Sequence, residues 1–136
     1  MNPTKLAFAA LAAAFSFTLT ATADDAKLPP ASDKKDVTYA TDIKPIFGAN
    51  CAKCHSGDRA KAKLHMDTLE GVLKGTKAGK IVTVGDSANS LIVKITAHAT
   101  EDKDEWMPPT PNKAGAKTLT PEQIGLVRAW IDQGAK

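Results

Sequence analysis

The stretch at 51–55 reads Cys-Ala-Lys-Cys-His, and it decides how the rest of the chain is interpreted. Two thiols separated by two residues can add across the two vinyl groups of a haem, and the histidine that follows can place its imidazole on the iron. The spacing therefore predicts one covalently bound c-type haem, attached through Cys51 and Cys54, with His55 as the proximal iron ligand.

Three other interpretations of these residues have less support. A thiol redox couple is expected beside a βαβ pattern, which this sequence lacks. A zinc site would need a second cysteine pair or histidines at a recognised spacing, and His65 and His98 do not stand at one. A disulfide across two residues would close a strained, reducible loop. Haem attachment is the preferred interpretation.

The N-terminal residues are typical of a secretion signal. Lys5 provides a positive charge, residues 6–19 are apolar or small, and Ala-Thr-Ala at 21–23 offers a cleavage site. The apolar run is too short for a membrane span. We therefore predict a signal peptide over 1–23 and a periplasmic mature protein, since bacteria attach c-type haem in the periplasm.

The mature chain is predicted to hold a flexible arm over 24–36 and one domain over 37–136. The arm is charged and contains two adjacent prolines, with no apolar period. The domain is small and poor in aromatic residues, so a buried cofactor would help to complete its core. The 18 basic and 15 acidic residues form no sustained basic face, which argues against a nucleic-acid partner.

Two helices are predicted at the ends of the domain. The first runs from Thr41 or Asp42 to about Ala49, with Pro45 in its first turn, where no backbone hydrogen bond is lost. The last begins at 120–123, which reads Thr-Pro-Glu-Gln and predicts a capping box. Its apolar stripe ends in Trp130 and Ile131, and Trp130 is a candidate to pack across the first helix.

The middle of the domain is predicted to contain two shorter helices. One starts at Asp67 or Thr68 and ends near Gly75, and the other starts at Asp86 or Ser87 and ends before His98. Residues 81–84 are β-branched throughout, so a short strand and a β-hairpin insertion are an alternative there. The expected fold class is nevertheless all-α.

A six-coordinate iron needs a distal ligand, and the candidates are Met107, Met66, His65 and His98. Met66 shares the apolar face of an extended piece and is expected in the core, while His65 is close in sequence to His55. Met107 lies far along the chain, before prolines that fix the backbone. We therefore prefer Met107, with the histidines as the main alternatives.

Together, these features resemble class I cytochromes c, and more specifically the small planctomycete-type cytochrome c domain. The resemblance extends from about residue 40 to 135, and the matching stretches are 42–47, 51–55, 64–67, 85–86 with 90–91, 107–109 and 119–135. It implies a mainly helical fold around one haem, with thioether bonds at Cys51 and Cys54, His55 as proximal ligand and Met107 as distal ligand. Where this family often has Arg, the chain has His65, so a propionate contact at that position is not carried over.

The resulting hypothesis is a diffusible, monomeric one-electron carrier that is not an enzyme and acts between redox partners as yet unidentified. Lys53, beside the cysteines, is a candidate to orient a partner. If the distal iron position is open, the alternative is a haem-based ligand sensor or a peroxidase-like protein. A colourless secreted structural domain is the third hypothesis.

Overall fold

The structure, a computed structural model, describes residues 27–136, so the predicted signal peptide over 1–23 lies outside the described residues. It contains four α-helices: α1 Lys44–Asn50, α2 Leu69–Lys74, α3 Leu91–Thr96 and α4 Pro121–Asp132. A π-helical turn, Tyr39–Ile43, runs directly into α1. Over the described range there is no β-strand and only an isolated bridge between Thr76 and Gly79. The predicted all-α fold class is confirmed.

The predicted strand and β-hairpin over 81–84 are wrong. The backbone groups of this segment bond to the beginning of α3 instead of to another strand: Ile92 N donates to Ile81 O, and Thr83 N donates to the Ser90 hydroxyl at 2.9 Å. Ile81 and Val82 are both buried, whereas Val84 is exposed. Ile81 and Val82 fill the core from a loop, which composition alone does not distinguish from a strand.

The start of the first helical segment lies a few residues before the predicted one. The hydroxyl of Thr38 accepts from Thr41 N at the beginning of the π-helical turn, so Thr38 is the cap. Pro45 lies in the first turn of α1, as predicted. Ile43 and Phe47 are fully buried on the inner face. The buried apolar face of this segment therefore continues as far as Cys51.

The capping box predicted at the start of α4 is confirmed. Thr120 accepts from Gln123 N at 3.2 Å, and the Gln123 side chain accepts from Thr120 N at 3.0 Å. At the other end of α4, Trp130 is fully buried with its ring 6.0 Å from that of Tyr39 and 6.4 Å from that of Phe47. This aromatic cluster joins α4 to the segment that precedes the cysteines.

The described part of the N-terminal arm makes tertiary contacts, although its composition led us to expect flexibility. Leu28 is buried, Arg128 donates to Pro29 O at 2.6 Å, and Ser32 N donates to Gly125 O at 2.9 Å. The Arg128 side chain is itself buried and also donates to the Ser87 hydroxyl. Residues 28–32 therefore lie along one side of α4.

Gly125 allows this close approach, and its substitution is expected to destabilise the fold. A Cβ at Gly125 would lie 2.6 Å from Pro30 O, so Gly125→Ala should lower the free energy of unfolding by about 1–3 kcal/mol. Gly48 in α1 is the matched control, because a Cβ there meets nothing within 4 Å. Gly48→Ala should raise the same quantity by about 0.5–1 kcal/mol. Urea unfolding of both variants measures the free energy of unfolding. Equal changes in Gly125→Ala and Gly48→Ala would contradict the close contact between Gly125 and Pro30.

Asp42 makes the stability of this region depend on acidity. Lys34, then Thr38 N and the Thr41 hydroxyl, bond to its carboxylate and lower its pKa from 3.8 to about 2. Because the folded pKa is depressed, the contribution is present above pH 3.8 and is lost as pH falls towards about 2. Asp42→Asn should therefore flatten the dependence of the unfolding midpoint on pH in this window. A variant as acid-sensitive as the wild type would contradict this.

Candidate cofactor site

A cavity of about 640 Å³ opens beside the Cys-x-x-Cys-His segment. Its size falls within the range of roughly 300–1,000 Å³ typical of ligand pockets. The wall residues are mostly apolar and include Leu64, Ile81, Leu91, Ile92, Ile95 and Leu119. Leu91 remains 42% exposed although it stands at the start of α3. An apolar group inside the cavity would cover this surface.

The end of α1 positions the three residues of the motif. Cys51 N donates to Phe47 O at 2.8 Å as the helix ends, and the amides of Cys54 and His55 donate to Cys51 O at 3.1 and 3.0 Å. This tight turn puts both free cysteines and His55 on the wall of the same cavity. The spacing of the motif therefore places both thiols and the imidazole at the same cavity.

His55 is held in one orientation by a backbone contact. Its Nδ1 lies 3.1 Å from Lys61 O, and because a carbonyl only accepts, Nδ1 is the donor. Burial is the main cause that lowers the pKa of His55, against an opposing contribution from this hydrogen bond. The neutral imidazole is thus left with a free lone pair on Nε2, which is the form that binds a metal.

Cys51 does not have the character of a redox-active thiol. Burial, followed by the neighbouring Cys54, raises the pKa of Cys51 to about 11. Reactive redox cysteines instead have a lowered pKa. No group of three or more His, Cys, Asp or Glu side chains within residues 27–136 could hold a metal ion. The raised pKa of Cys51 agrees with setting aside the thiol redox interpretation.

Two of the four candidates for the distal ligand line the cavity. Met107 and Met66 both line the cavity, while His65 and His98 are not among its lining residues. Met66 is 4% exposed and packed in the core, as predicted. The ring of His98 is stacked on Trp106 instead. Met107 and Met66 thus share the cavity with Cys51, Cys54 and His55, and Met107 stays the predicted ligand.

Two features of the site were missed in the sequence. The first is the role of Lys61 O, which no sequence signal marks because it is a backbone group. The second is the loop after the prolines, where Asn112 bonds to both the N–H and the carbonyl of Ala116 and closes one side of the cavity. Asn followed at a short interval by Gly115 is a turn signal that indicates such a loop.

The residues present fit a covalently attached haem. Two free thiols, an oriented neutral imidazole and a methionine thioether line an apolar cavity, and these are the groups that hold haem in cytochromes c. The described residues contain no helix long and apolar enough to cross a membrane.

Comparison with known proteins agrees with this chemistry. Residues 51–111 match the family model described as Planctomycete cytochrome C, and this range includes the motif, most of the cavity wall and Met107. Neither the curated proteins nor the solved structures gave a match to the chain. Domains of this family bind haem and transfer electrons. Residues 51–111 are therefore similar to the cytochrome c-type domain described as Planctomycete cytochrome C.

Proposed function

We propose that the protein is a periplasmic monohaem cytochrome c that carries one electron at a time between larger redox proteins. The observation that carries this proposal is the presence of Cys51, Cys54, His55 and Met107 on the wall of one apolar cavity. The predicted signal peptide supports the periplasmic address. We expect a monomer that is not an enzyme and whose donor and acceptor are other proteins.

Each residue has a defined part in this function. Each cysteine thiol would add its S–H across one vinyl C=C bond, forming a C–S thioether and placing the hydrogen on the adjacent carbon. His55 would supply Nε2 as the proximal ligand while its Nδ1 stays bonded to Lys61 O. Met107 would supply its sulfur as the distal ligand. Bound haem supplies an iron that gains or loses one electron.

The surrounding residues would influence how easily a bound haem iron is reduced. The apolar wall would keep water away from the metal and disfavour the more charged oxidation state. A methionine ligand raises the reduction potential relative to a second histidine. Lys53 is exposed between the cysteines, with Nζ 3.4 Å from Ala114 O, and is the cation we expect to orient a partner.

A spectroelectrochemical titration of the haem-loaded protein tests this function. We expect one reversible wave that fits a single electron, and slow binding of carbon monoxide to the ferrous form because Met107 occupies the distal position. A high-spin ferrous form that binds carbon monoxide rapidly would contradict electron transfer. That outcome would instead favour the ligand sensor or the peroxidase-like protein.

A further inference from the structure

The segment between α3 and Met107 leaves the C-terminal end of α3 and then returns to it. Ala97 N and Ala99 N donate to Val93 O and Lys94 O, both at 2.9 Å, at the end of α3. Met107 N then donates to Ile95 O at 3.1 Å. Residues 98–106 therefore form a loop that begins and ends at the last turn of α3. The end of this loop places the Met107 backbone against α3.

Within this loop, the rings of His98 and Trp106 form a parallel stack. Their ring centroids are 4.6 Å apart and the planes differ by 6°. The indole Nε1 donates to Thr100 O at 3.3 Å, and Lys103 Nζ lies 5.6 Å from the indole centroid. Trp106 is thus held in place immediately before Met107.

Two features of His98 are energetically unfavourable in this position. Its φ is +54°, in the left-handed region that side chains other than glycine rarely adopt. Its Nε2 is buried and has no hydrogen-bond partner among the described residues. Conformations of this kind persist only where the surrounding structure imposes them. The stack on Trp106 is the contact that accompanies the left-handed backbone and the unpaired Nε2 of His98.

We propose that His98 and Trp106 are positioning residues, which hold Met107 towards the cavity. The prolines at 108 and 109 restrict the backbone after Met107, and the stack restricts it before Met107. Ordering both sides reduces the conformational freedom that the thioether loses when it binds iron. This inference rests on the proposed function, in which Met107 is the distal ligand.

The test measures how fast added imidazole displaces Met107 in the ferric, haem-loaded protein, followed by the long-wavelength Met–iron absorption band. We expect His98→Ala to accelerate displacement by about threefold to tenfold, the factor that corresponds to the loss of one ring stack. His98→Phe keeps a flat ring and should remain close to the wild type. Trp106→Leu, which removes the other ring, should resemble His98→Ala.

His65→Ala is the matched control, because His65 is also partly buried but does not line the cavity. It should leave the displacement rate unchanged. Wild-type rates in both His98→Ala and Trp106→Leu would overturn the positioning role, as would a His98→Phe variant as fast as His98→Ala. Met107→Ala keeps the two proposals apart: if it retains the Met–iron band, the ligand assignment itself fails.

Discussion

A Cys51→Ala, Cys54→Ala double variant, expressed together with a haem-maturation system, is expected to contain no covalently bound haem. The cavity then has no thiol in its wall, because these are the only two cysteines in the chain. Each single variant should retain one thioether bond and therefore some haem after denaturation. A denaturing gel stained for haem, together with acidic acetone extraction, measures the covalently bound fraction.

Lys53→Ala is the control for this experiment, since it changes a residue between the two cysteines without removing a thiol. It should retain haem at the wild-type level. Haem that stays on the double variant through denaturation would contradict attachment at these positions. Haem that is lost equally from Lys53→Ala would show that the variants fail in maturation rather than in bond formation.

The second large effect is expected at Trp130. Its side chain is fully buried against Tyr39 and Phe47, and its Nε1 donates to Lys136 O at 3.0 Å. Trp130→Ala should lower the free energy of unfolding by about 3–5 kcal/mol, the usual cost of removing a large buried aromatic side chain. Small domains have only about 5–15 kcal/mol in total, so the variant should be close to unfolding.

Urea unfolding of the haem-loaded protein, followed by circular dichroism, measures this change. Trp130→Phe is the matched variant, because it keeps a ring against Tyr39 and Phe47 while removing the indole N–H. It should lose clearly less stability than Trp130→Ala. A loss below about 1 kcal/mol in Trp130→Ala would place the residue outside the cooperative core.

Features that depend on neighbouring residues were predictable from the sequence. The capping box of α4 involves only Thr120 and Gln123, which are three residues apart. The same holds for the cysteine motif, because the tight turn after α1 fixes the relation of Cys51 to His55. Capping residues have strong local preferences, so their sequence pattern marks a helix start without knowledge of distant contacts.

Features that depend on distant partners were not predictable in the same way. The arm looks unstructured because its own residues show no apolar period, yet Gly125 and Arg128 provide its contacts from almost 100 residues away. Residues 81–84 have strand-forming side chains, but Ser90 provides hydrogen bonds to Thr83, and Ile92 provides that of Ile81. The stacked ring of His98 follows from a left-handed backbone conformation that no sequence motif marks.

We propose that one haem is bound through Cys51 and Cys54, with His55 and Met107 as the ligands of its iron. The most direct test is to record oxidised and reduced absorption spectra of the matured wild-type protein and of Met107→Ala. We expect a low-spin c-type spectrum and a Met–iron band that disappears in the variant. A high-spin native spectrum, or a low-spin spectrum unchanged by Met107→Ala, would contradict it.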